Sequence, residues 1–180
     1  MAFIETGSGD GTNFERLFER RPEAFAAWRA LNGAIKERMD PRRYELATIA
    51  AAASLRSSYC VLAHGSVLRE RFIDDGTLRG LVTDHRLAGL DEQEVAVMDF
   101  AQKVVDDATS VTEADVERLR QAGLADDEIL DVALAAAARC FFSKTLDALE
   151  AQADARYREL APELRDALTV GRPIAASPDS

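Results

Sequence analysis

The chain holds two cysteines and two histidines, and one of each lies in the stretch "RSSYCVLAHGSV" at 56–67. Cys60 and His64 are four residues apart. On a helix that spacing puts both on one face. A thiol is a poor nucleophile until it ionises, and an imidazole is suited to take its proton near neutral pH. Ser57 and Ser58 precede the cysteine. Either can cap a helix start, and Cys60 then lies in the first turn, where the helix dipole favours an anion. Glu45 stands on the preceding segment. If the two segments are antiparallel helices, its carboxylate faces back toward His64, orients the ring and accepts its proton. The chemistry on offer is attack by a Cys60 thiolate, with Glu45 and His64 as the activating pair. The plainer alternative is a small buried thiol beside an incidental imidazole. A metal is not expected, because Glu45, Cys60 and His64 have no paired Cys-x-x-Cys or histidine cluster to complete a zinc set.

The elements that must position these residues read as helices. Pro22 opens a segment with Phe25, Trp28, Leu31 and Ile35 on one stripe. Asp40 reads as an N-cap with Pro41 at the first helical position, leading into "RRYELATIAAAASLR". The helix carrying Cys60 and His64 is expected to run to about Phe72, followed by a weak helix near 77–83. "DEQEVAVMDFAQKVVDDA" is amphipathic, with Val95, Met98, Ala101 and Val105 in register. "TEADVERLRQAG" begins with a Thr-x-x-Asp cap and ends in Gly123. The longest helical pattern starts at Asp126 and continues to Tyr157, and a last short helix starts at Pro162. No run alternates β-branched and polar residues, so the fold class expected is all-α. One domain is expected over 13–170, with flexible ends at 1–12 and 171–180.

Glu45 to His64 also lies without gaps over Glu128 to Asp147. Glu45 falls on Glu128, Ser57 on Cys140, Cys60 on Ser143 and His64 on Asp147. Each copy is an alanine-rich stretch led by a glutamate. The echo predicts two related helical halves packed on each other.

The 180 residues are 47% apolar and 30% charged, with a net charge of −10. Such an acidic chain has no electrostatic footprint for nucleic acid or an anionic membrane, and neither partner is expected. No stretch approaches the roughly 18 apolar residues of a membrane span. The start lacks the basic region and apolar run of a secretory leader, and two cysteines make no disulfide framework. A cytoplasmic protein with reduced thiols is expected.

The segment around Cys60 resembles the alkylhydroperoxidase D / carboxymuconolactone decarboxylase-like family. Its redox members carry a glutamate and, twelve positions on, Cys-x-x-Cys-x-x-x-His. Here Glu45 is followed at that distance by "SSYCVLAH" starting at Ser57. The flanks "FAAWRALNGAI", "RRYELATIA", "EVAVMDFAQKVV" and "VTEADVERLRQAGLADDEILDVA" extend the resemblance over roughly residues 20 to 160, nearest the peroxidase-related branch. It implies an alkylhydroperoxidase D-like helical bundle and a homo-oligomer. It implies Cys60 as the thiol that attacks a small organic hydroperoxide, activated by Glu45 and His64 without a cofactor. It departs at Ser57, where the family has the resolving cysteine. A serine can cap the helix and hydrogen-bond the Cys60 thiolate, but it cannot close a disulfide, so an external thiol or dithiol protein is the expected reductant. Cys140 is either a small filler in a tight helix contact or a relocated resolving thiol. The same resemblance admits two alternatives. One is a non-redox decarboxylase-like enzyme using Glu45 and His64 for proton transfer. The other is a non-catalytic oligomeric or sensor protein.

Tyr59 and Tyr44 read as packing residues whose phenols can reach the site. Arg56 could place positive charge beside the thiolate. Trp28 reads as core or interface, and His85, in a polar "TDHR" segment, as a solvated surface residue.

Overall fold

Local rules set where each helix begins in the computed structural model, which describes residues 2–177. Helix α1 (Asn13–Phe18) starts at Thr12, whose hydroxyl accepts from the Glu15 N–H while the Glu15 carboxylate accepts from the Thr12 N–H. Helices α2 (Pro22–Arg38) and α3 (Pro41–Ser54) start at prolines, which suit the first position because its N–H has no helical partner. The Asp40 carboxylate caps α3 by accepting from the Arg43 N–H. Helices α4 (Ser58–Arg71) and α5 (Asp75–Asp84) follow. Helix α6 (Glu92–Asp107) carries an Asp91–Glu94 capping box. Helix α7 (Glu113–Gln121) begins where Asp115 accepts from the Thr112 N–H. Helix α8 (Asp126–Ala148) is the longest at 23 residues, and α9 (Pro162–Leu168) again starts at a proline. Among the described residues there is no strand, and no helix is long and apolar enough to cross a membrane.

Helix α3 sits at the centre. Nine successive residues, Tyr44 to Ala52, are buried. Its alanines present short side chains on several sides, so α4, α6 and α8 all pack against it. A helix that is apolar all round belongs in a core. Helix α2 is held more loosely. Ile35 is buried and Trp28 half-buried, but Leu31, on the same expected stripe, is 51% exposed. Trp28 stacks on Phe142 of α8 at 4.2 Å between ring centroids.

The turn between α3 and α4 holds Arg56 in the left-handed region at φ 54. The chain that follows α9 folds over this turn. The Gly171 N–H donates to Ser58 Oγ at 2.8 Å, and a Cβ at 171 would lie 1.9 Å from the Arg56 carbonyl oxygen. Only glycine fits there.

Helix α8 ends earlier than its apolar period. The pattern runs to Tyr157, but the helix stops at Ala148. The Ala151 N–H turns back to the Leu146 carbonyl, with Glu150 left-handed at φ 56. That is the closure a glycine usually makes, as Gly123 does after α7. A glutamate in that place carries no sequence signal.

The two echoed stretches meet in the core, α3 against α8. Their helix boundaries differ. Glu45 to His64 is broken at Arg56, whereas Glu128 to Asp147 lies within one helix. Glu45 is buried, while Glu128 is more exposed and pairs with Arg43. At the ends, the Phe3 N–H donates to the Leu149 carbonyl and the Ala175 N–H to the Ala153 carbonyl. Within the ends expected at 1–12 and 171–180, residue 1 and residues 178–180 lie outside the described residues.

Candidate active site

Ser57 is the N-cap residue of α4, so Cys60 falls in the first turn and His64 one turn further on. The α3–α4 turn sends α4 back along α3 and brings Glu45 to His64. His64 Nδ1 lies 2.5 Å from Glu45 Oε2, with the Glu45 side chain 4% exposed and that of His64 14%. Lys36 of α2 lies 3.6 Å from the other carboxylate oxygen and over the Tyr44 ring at 4.8 Å. The Tyr44 ring meets His64 edge-on, and its hydroxyl donates to Asn32 Oδ1 at 2.7 Å.

The electrostatics give the pair defined states. Burial alone would raise the Glu45 pKa. The His64 hydrogen bond and charge, with Lys36 and Arg139, outweigh it and hold the carboxyl below its ordinary value. Burial and the Arg139 charge push the His64 imidazole down to about 4, against the pull of Glu45. At neutral pH the carboxylate is therefore ionised and the ring neutral. An ionised carboxylate can only accept, so Nδ1 carries the proton and Nε2 keeps a free lone pair.

One residue escaped the sequence reading. Arg139, on the buried face of α8, is 3% exposed and points Nη1 at Cys60 Sγ, 3.5 Å away. Its guanidinium also lies 5.4 Å from the Phe142 ring centroid. Arg139 sits in the run "ALAAAARCFF". A single cation among alanines and phenylalanines must either leave the core or be partnered within it, and that was the available signal. The cation expected from Arg56 is not at the site. Arg56 is exposed, and its Nε donates to the Val170 carbonyl.

Ser57 is fully buried, but its hydroxyl neither caps α4 nor bonds Cys60. It lies beside Asp147, whose carboxyl is raised by burial and partly lowered by Ser57. Tyr59 is buried with its hydroxyl turned away, donating to Asp154 Oδ2 at 2.6 Å. Asp154 also accepts from the Asn13 N–H, so Tyr59 ties α4 to α1 and the chain after α8. Cys140 is half-buried and both thiols are free. It follows Arg139 and is turned from it by about 100° around the helix. His85 corrects the expectation of a surface residue. It is 3% exposed, and its Nε2 lies 2.8 Å from Asp99 Oδ1, beneath Arg86 and Arg118, which pair with the same carboxylate. The polar letters around it concealed a buried contact with Asp99, covered by two exposed arginines. Among the described residues, no three histidine, cysteine, aspartate or glutamate side chains gather to hold a metal.

Residues 22–103 match the model of the carboxymuconolactone decarboxylase family, a span that contains Glu45, Ser57, Cys60 and His64 and ends before Arg139. Solved structures match over more of the chain. An alkylhydroperoxidase AhpD core, an uncharacterized peroxidase-related protein from Ralstonia eutropha, superposes with a TM-score of 0.75 at 24% identity, covering 92% of this chain and 85% of its own. The fold is that of the alkylhydroperoxidase D core. An uncharacterized peroxidase-related protein from a Silicibacter species superposes with a TM-score of 0.75 at 22% identity, with 88% of this chain and 94% of its own covered. A protein of unknown function from Agrobacterium tumefaciens gives 0.69 at 22% identity, with 76% and 94% covered. No curated protein matches the sequence.

Proposed function

We propose that the protein is a cysteine-dependent, peroxidase-like oxidoreductase that reduces organic hydroperoxides. The bond between His64 Nδ1 and Glu45 Oε2, one turn along α4 from Cys60, carries the reading. It leaves Nε2 as the free base on the same helix face as the thiol. His64 takes the thiol proton. The Cys60 thiolate attacks the outer oxygen of the hydroperoxide and donates two electrons as the O–O bond breaks. The alkoxide takes up a proton and leaves as the alcohol, and Cys60 remains as a sulfenic acid. A small thiol, or one thiol of a dithiol protein, displaces water to form a mixed disulfide. A second thiol then releases Cys60. Serine at 57 removes the resolving thiol from the motif, which makes the reductant external. A reducing cytoplasm would supply it. The exposed apolar side chains Leu31, Leu134 and Phe141 support a homo-oligomer.

The test is hydroperoxide turnover with excess dithiol. Cys60→Ser should abolish it with the fold intact, and His64→Gln should lower it by about 10²–10⁴-fold. Full turnover in the Cys60→Ser protein overturns the reading. A second reading rests on the family match, Ser57 and the deep burial of Cys60. There Glu45 and His64 would move a proton on a small lactone or related acid. Dependence on His64 with indifference to Cys60 would select it.

A further inference from the structure

A buried guanidinium is expected to face a carboxylate, because a cation taken out of water without an anion is among the costliest groups a core can hold. Arg139 is 3% exposed, yet among the described residues no carboxylate oxygen lies within ion-pair distance of it. Its Nε is buried without a hydrogen-bond partner. What it does face is the sulfur of Cys60, 3.5 Å from Nη1, with the Phe142 ring alongside. Glu45, the buried acid at the site, is already engaged by His64 and Lys36.

We propose that Arg139 is a catalytic residue whose guanidinium is the counter-cation of ionised Cys60. The proposal rests on the reading of Cys60 as the nucleophile. With the sulfur anionic, the buried cation has its partner. With the sulfur protonated, it faces only neutral groups, the Tyr44 hydroxyl among them. The arginine therefore favours the form of Cys60 that attacks, and His64 need only accept the departing proton. Burial resists charge on both groups, and the pair resolves that together. The groups facing Arg139 are Cys60, Tyr44 and Phe142, with His64, Glu45 and Lys36 behind them. Of these, only Cys60 offers it a negative charge at hydrogen-bonding distance.

The test reads the thiolate without a reagent having to reach it. Thiolate absorbance near 240 nm is followed against pH, with Cys60→Ser as the baseline for each protein, in wild type, Arg139→Gln, Arg139→Lys and Arg139→Met. Circular dichroism confirms the fold. In Arg139→Gln and Arg139→Met the half-point of the Cys60 signal should move up by about one pH unit or more, the effect expected on losing an opposite charge this near. Arg139→Lys should move it less. Oxidation of Cys60 by cumene hydroperoxide at pH 7 should slow about tenfold in the Gln variant. An unmoved half-point in the folded Gln and Lys variants overturns the proposal and leaves Arg139 as packing against Phe142. The Lys variant serves if Gln or Met does not fold. If the half-point moves but hydroperoxide leaves wild-type Cys60 intact, the ion pair stands and the peroxidase reading fails.

Discussion

At the scale of single residues, the site separates groups that carry charge from groups that hold shape. Glu45 and Arg139 are charged and buried, His64 is neutral beside Glu45, and Cys60 is the thiol that Arg139 faces. Tyr59 shows the contrast. It neighbours Cys60 in sequence, but its hydroxyl is committed to Asp154. Replacing Tyr59 with Phe should cost about 1–3 kcal/mol in urea unfolding, since the carboxylate loses a buried donor. The rate at which hydroperoxide oxidises Cys60 should stay unchanged. A large loss of that rate would move Tyr59 into the chemistry. The spacing from Glu45 to His64 was legible because helix periodicity and an antiparallel turn are enough to bring them together. Arg139 was not, because it lies 79 positions from Cys60 and meets it only through packing.

At the scale of elements, the α3–α4 turn does the positioning. Arg56 adopts a left-handed conformation that reverses the chain, and Gly171 lies over its carbonyl. A methyl group at 171 would collide with that oxygen and push the chain off Ser58. Gly171→Ala should therefore destabilise by about 1–3 kcal/mol, as overfilling a tight contact does. It should also loosen the His64–Glu45 bond, read as a change in the His64 ring resonances by NMR. Unchanged stability and resonances would show that the turn holds itself. Two helix starts were readable from their caps: Asp40 and Thr112 sit where the short-range rules put them. The end of α8 was not, because a left-handed Glu150 breaks an apolar pattern that otherwise continues. His85 failed for a related reason. Asp99 gives it a partner in the interior, and polarity in sequence does not distinguish a solvated histidine from a partnered one.

At the scale of the whole molecule, a neutral, largely buried imidazole makes stability depend on pH. The folded His64 binds a proton only near pH 4, whereas an unfolded histidine binds one near 6.5. Between those values the unfolded chain holds the extra proton, so acid favours unfolding. The contribution is complete above pH 6.5 and lost as pH falls toward 4, up to about 3 kcal/mol. Glu45 acts in the same sense at lower pH. Its folded value lies below 4.5, so its contribution is present above 4.5 and is lost as pH falls through the folded value. Urea unfolding from pH 7 to 5 should show falling stability, and His64→Gln should flatten that slope. An equal slope in the variant would place the pH dependence elsewhere. The all-α architecture itself was legible because alanine-rich helical periods leave few other ways to bury them.

The most direct test of the central claim is the intact mass and peptide map of the reduced protein after one equivalent of organic hydroperoxide, with dimedone present to trap sulfenic acid. A dimedone adduct should form on the Cys60 peptide, and after brief exposure it should be about tenfold less abundant when Arg139 is replaced by Gln. An unmodified Cys60 in wild type at full exposure would contradict it.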